Sequence, residues 1–174
     1  MIKKIATALI RKSEKHIGVT FDYVHKIAET DMKLLIRYNR IFGFLDPNKN
    51  VPTLAYHAAR IRGAAVSDCG VCVEAEINLA KIAKIPAETI SDLLTSNYDN
   101  LPAEIVAVGQ LADAVVGGRY DNPEAREIIL RTWGNKALIE LSYAMNGAAL
   151  LPGIKRAMGY ATTCDISAMK KLVS

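Results

Sequence analysis

The chain has 174 residues, of which 51% are hydrophobic, 23% charged and 6% aromatic, a mixture that fits one globular domain over residues 1–174 and excludes a disordered tail or a fibre. A chain of this length buries roughly 70% of the surface its unfolded form exposes, so it needs no metal or disulfide framework to hold a core. The net charge is +4, concentrated in residues 1–40 with nine bases against four acids; without stacking aromatics or a recognisable module, this reads as a solvated helix face, with neither nucleic acid nor membrane as a partner.

At the amino terminus, MIKKIATALIRKSEKHIG places its bases at helical spacing around a stripe of Ile2, Ile5, Ala6, Leu9 and Ile10. This is not a charged end followed by a continuous apolar core, so the expectation is a cytoplasmic chain without a secretory signal. Gly18 and Thr20 separate that helix from a second region, where Val24, Ile27, Ala28, Leu34, Leu35, Tyr38, Ile41 and Phe42 recur at three- and four-residue intervals, with Thr30 placed to cap a break. Gly43 and the segment Asp46 to Asn50 read as a loop, and Pro52-Thr53 starts a helix running to about Ala65. Ser67 and Asp68 are cap residues for the next helix, which extends to about Ile85.

Further on, Pro86 and Pro102 each open a helix, and Asn122-Pro123 opens a third after a Gly117-Gly118 stop. That last pattern continues through Leu130, Leu138, Leu141 and Met145 to a break at Pro152-Gly153. Nowhere do β-branched residues alternate with polar ones, so the fold class is an all-α single-domain bundle of roughly eight to ten helices. No apolar run approaches the roughly 18 residues of a membrane span, which predicts a soluble protein. Residues Gly147 to Leu151 suit either the core or a contact between subunits.

The chemistry concentrates in SDCGVCVEAEINLA, which holds Cys69 and Cys72; the third cysteine, Cys164, stands alone and reads as a small packed hydrophobe. In a chain without a secretory signal, C-x-x-C points to redox or metal chemistry rather than a staple. With Asp68 as the cap, both cysteines fall in the first turn, where unpaired N–H groups and the helix dipole favour thiolate. Residues three apart also face the same way, at a separation a disulfide bridges. Glu76 falls on that face and Glu74 off it. His57, on the preceding helix, lies near Glu76 if a tight turn at Val66 to Asp68 lets the two helices pack antiparallel. Tyr56, Arg60 and Arg62 border the same region without being singled out, and His16 and His25 read as surface residues.

The stretch from Thr53 to Leu94, with Cys69, Cys72 and KIAKIPAETISDLL after them, resembles the alkylhydroperoxidase-D-like branch of the carboxymuconolactone decarboxylase family. That family typically carries a glutamate, then C-x-x-C, then a histidine four residues later. Here His57 stands where the upstream glutamate is usual, and Glu76 where the histidine is usual. The resemblance implies a helical, oligomeric thiol peroxidase acting in antioxidant defence, a homohexamer first and a trimer second. Cys72 would attack an organic hydroperoxide and Cys69 would resolve it. A proton relay would run from Cys72 through Glu76 to His57. An external dithiol or disulfide reductase would restore the thiols, with no cofactor and no metal.

An imidazole near pKa 6.5 is a better base towards a thiol than a carboxylate near 4.3, so Glu76 would act through His57, a water or a burial-raised pKa. Competing readings are a zinc site from Cys69, Cys72, His57 and Glu76, thiol-disulfide exchange without peroxidase activity, a decarboxylase like the family's namesake, and a non-enzymatic subunit with a vestigial motif. Val73 excludes c-type haem attachment, which needs histidine there.

Overall fold

A computed structural model describes residues 2–45 and 49–173, and all the regular structure in them is helical. The helices are α1 (Ile2–Ile17), α2 (Asp22–Thr30), α3 (Met32–Leu45), α4 (Thr53–Ala65), α5 (Gly70–Ile82), α6 (Ala87–Leu94), α7 (Ala103–Ala112), α8 (Pro123–Ala157) and α9 (Ile166–Val173). A π-helical turn, Asp113–Gly118, extends α7.

Local chemistry accounts for most of the boundaries. Gly18 ends α1 with a left-handed φ of 82°. Asn122 caps α8 by accepting from the Ala125 amide at 3.1 Å, with Pro123 in the first helical position. Pro86 and Pro102 sit one residue before α6 and α7, in extended backbone that aims the chain into each helix. The break between α2 and α3 falls at Asp31, whose carboxylate accepts from the Lys33 amide at 2.7 Å; Thr30 instead ends α2 and bonds back to the Lys26 carbonyl. Gly43 lies inside α3 rather than in the loop expected there, and Asp46, Pro47 and Asn48 of that loop fall outside the described residues.

At the other end, α8 does not stop at Pro152-Gly153. It breaks at Gly134 (φ 78°, ψ −178°) and then continues to Ala157, with Pro152 fully buried within it. A proline forfeits one helical hydrogen bond, but the buried face of Leu141, Ala144, Ala148, Pro152 and Lys155 continues past it and holds the turn in place. By length and composition alone α8 would suffice to cross a membrane; here it is the helix on which the bundle packs.

Two apolar clusters result. The larger joins α4 to α9 around Ile61, Ile77, Ile90, Leu93, Ile129, Leu141 and Met145. α4 lies against α8 so closely that a Cβ on Gly63 would stand 2.3 Å from the Met145 carbonyl oxygen, so only glycine fits the crossing. The smaller cluster joins α1, α2 and α3 around Ile10, Tyr23, Val24, Ala28 and Tyr38. Only Ile10 of the α1 stripe is buried; Ile2, Ile5 and Leu9 are 68%, 55% and 60% exposed, so the stripe lacks the covering its periodicity predicts. The Gly147 to Leu151 patch divides, Gly147 and Ala148 being buried while Leu150 is 45% exposed.

Candidate active site

Between the two clusters lies a cavity of about 510 Å³, with α1, α2 and α3 on one side and Arg60, Cys72, Glu76, Ala148 and Lys155 on the other. Most of its walls are aliphatic or aromatic side chains, the character of a pocket for an apolar ligand.

The dithiol sits at its inner wall. The helix start is one residue later than Asp68 capping predicts: Asp68 takes φ 48°, and Cys69 becomes the N-cap of α5 with φ −138° and ψ 101°. The Asp68 carboxylate instead accepts from the Cys164 amide at 2.8 Å. The first amides of α5 are engaged by the chain after α8, with Gly70 donating to the Thr162 carbonyl at 3.1 Å and Val71 to the Thr162 hydroxyl at 3.4 Å. Cys164 packs half-buried against the main core.

The Cys69 and Cys72 sulfurs are 2.6 Å apart, both buried, and only Cys72 lines the cavity. At that distance the two thiols titrate as a pair. One proton leaves readily: Cys69 is lowered because Cys72 donates to its thiolate, with further help from the backbone amides of Cys72 and Thr162 and from Lys155. The second is retained, since Cys72 is raised by its bond to Cys69 and by burial. The resting charge therefore belongs to the pair, whereas access from the cavity belongs to Cys72.

Glu76 is buried on the cavity wall as its helical position predicts, but its partner is Arg60 rather than His57. Arg60 Nε and Nη2 each donate to one carboxylate oxygen at 2.7 Å, and Arg60 Nη1 donates to the Tyr56 hydroxyl, which donates to the Leu45 carbonyl at 2.6 Å. Burial opposes the Arg60 charge, but Glu76 more than offsets it and holds the guanidinium above its usual range. Arg62 faces elsewhere, binding Asp113 and the Leu93 and Leu94 carbonyls.

His57 does not line the cavity. It is 7% exposed, packs edge-on against the Tyr56 ring, and its Nδ1 has no hydrogen-bond partner. No hydrogen bond links it to Glu76, so the relay expected from Cys72 through Glu76 to His57 has no continuous path in this arrangement. Burial lowers the His57 pKa, with Glu76 opposing and Arg60 adding to the shift. Below its unfolded pKa near 6.5, the unfolded chain gains a proton that the native state resists. Stability is then lost on acidification, at up to about 1.4 kcal/mol per pH unit in that window. His57→Phe is expected to flatten this part of the stability profile, measured by urea unfolding between pH 5 and 8.

Three residues join the site that the sequence pattern left unmarked. Lys155 is 4% exposed, stacks its ammonium 4.9 Å from the Tyr23 ring centroid and favours thiolate on both cysteines. Tyr23 and Tyr38 are buried, hydrogen-bonded to each other through their hydroxyls, and line the cavity with Cys72. Burial pushes both phenols up, Tyr38 to about 12, so they remain protonated donors. Among the described residues, no group of three or more His, Cys, Asp or Glu is placed to hold a metal ion.

Compared with family models, curated proteins and solved structures, the chain matches none.

Proposed function

We propose that the protein is a cytoplasmic thiol peroxidase of the alkylhydroperoxidase-D-like type, reducing organic hydroperoxides with the Cys69–Cys72 dithiol. The observation that carries this reading is a pair of buried sulfurs 2.6 Å apart, with Cys72 at the wall of an apolar cavity. Cys72 attacks the peroxide to give a sulfenic acid, and Cys69 condenses with it to a disulfide. An external dithiol or disulfide reductase then restores the pair. The cavity's apolar walls favour a hydroperoxide with an organic body over hydrogen peroxide. Glu76 acts by fixing Arg60 on the cavity wall, and His57 packs behind that ion pair as a neutral side chain. The uncovered side chains of Leu34, Ile82, Ile139 and Leu150, outside the cavity, support assembly into the hexamer or trimer that the family resemblance suggests.

The test is intact-mass and alkylation analysis of the reduced protein, titrated with cumene hydroperoxide. Loss of two hydrogens, with Cys69 and Cys72 protected together, is the expected result. Two thiols unchanged by peroxide but oxidised by a small disulfide would replace this reading with thiol-disulfide exchange.

A further inference from the structure

A lysine is almost never buried without a partner, and Lys155 is 4% exposed. Among the described residues its ammonium makes no ion pair with a carboxylate: the nearby acid, Glu76, has both oxygens bound by Arg60. The groups around it are the Tyr23 ring from α2 and the two sulfurs of α5, and it lines the same cavity as Cys72, Tyr38, Arg60 and Glu76. The Tyr23 ring holds the ammonium in place, and among the described residues the dithiol is left to supply the compensating negative charge.

We propose that Lys155 is a catalytic residue of the dithiol site, serving as the cation that balances the resting thiolate and as the acid that protonates the departing alkoxide. The second role rests on the peroxidase reading; the first does not. In the resting site the dithiol lacks one proton and Lys155 carries the matching positive charge. As the Cys72 sulfur attacks the outer peroxide oxygen it passes its proton to Cys69. The S–O bond forms, the O–O bond breaks, and two electrons move from sulfur to peroxide. The alkoxide takes a proton from Lys155, giving an alcohol and a neutral amine. Cys69 then attacks the sulfenic sulfur; the S–S bond forms, and hydroxide leaves with the Cys69 proton as water. When the external dithiol reduces the disulfide, one proton of the restored thiols returns to Lys155. Tyr23 is a positioning residue for the ammonium.

The test compares wild type, Lys155→Met and Lys155→Arg in two assays: iodoacetamide alkylation of the dithiol against pH, and kcat/KM for cumene hydroperoxide against pH. In Lys155→Met the apparent pKa of alkylation is expected to rise by about one unit or more. Its peroxide rate is expected to fall about a hundredfold. Lys155→Arg keeps the charge but cannot release a proton, so it restores the alkylation profile while peroxide reduction stays slow. Thermal melts establish folding, and Lys155→Gln carries the same test if the methionine variant does not fold. A wild-type alkylation profile in the variants without a cation overturns the proposal. Full peroxide activity in Lys155→Arg overturns the acid role. If wild type consumes no peroxide while the alkylation shift persists, the peroxidase reading and the acid role fall together, and the cation role stands.

Discussion

Cys72→Ser is expected to reduce peroxide consumption to the uncatalysed background, while Cys69→Ser completes one attack and then stalls with a sulfenic acid on Cys72. The reasoning combines access with charge. Cys72 is the sulfur that lines the cavity, and a serine hydroxyl there has neither the nucleophilicity nor the acidity of a thiol. Cys69 is fully buried with its sulfur against that of Cys72, which suits it to take the Cys72 proton and then to resolve the oxidised sulfur. Removing Cys69 also removes that internal base, so the single attack in Cys69→Ser is expected to be slower than in wild type. Labelling with a sulfenic-acid-specific dione, followed by peptide mass analysis in a Cys164→Ser background, locates the oxidised sulfur. A sulfenic acid trapped on Cys69 in Cys72→Ser would reverse the roles.

The helical class and most helix starts are legible because they depend on local chemistry: the Asn122 cap, the prolines before α6 and α7, and the Gly18 stop act within a few residues. The dithiol is legible for the same reason, since i, i+3 spacing keeps two sulfurs together whether the helix begins at Cys69 or at Gly70. The relay is different because it depends on the register between α4 and α5. With the turn centred on Asp68, Arg60 stands eight residues before it and Glu76 eight after, so antiparallel packing sets those two opposite each other. His57 lies almost one helical turn further from the turn than that position. Counting outward from the turn would have found the Arg60–Glu76 pair. Lys155 was hidden by a local rule that tertiary packing overrides. Ending the last long helix at Pro152-Gly153 left the lysine outside it, although it continues the face of Leu141, Ala144 and Ala148. The Tyr23–Tyr38 bond joins α2 to α3, and no spacing within either helix announces it.

The Arg60–Glu76 pair is expected to show the largest effect on stability. Both side chains are mostly buried, at 11% and 5% exposure, and their two parallel hydrogen bonds of 2.7 Å satisfy the carboxylate at both oxygens. Removing one partner leaves the other as an uncompensated buried charge, so Arg60→Met or Glu76→Met should each cost about 3–5 kcal/mol. For a chain of this size that lowers Tm by about 6–20 °C. The double variant Arg60→Met/Glu76→Met removes both charges and should recover most of the loss, because an apolar pair needs no desolvation of ions. Thermal unfolding of the four proteins closes the cycle; additive losses would mean the pair is not coupled. The same set separates structure from chemistry at Glu76. If the carboxylate only fixes Arg60, the stable double variant keeps the Cys72 reactivity of wild type, altered at most in its affinity for peroxide. If the carboxylate carries a proton for the thiol, the double variant is as stable as wild type and slow at every peroxide concentration.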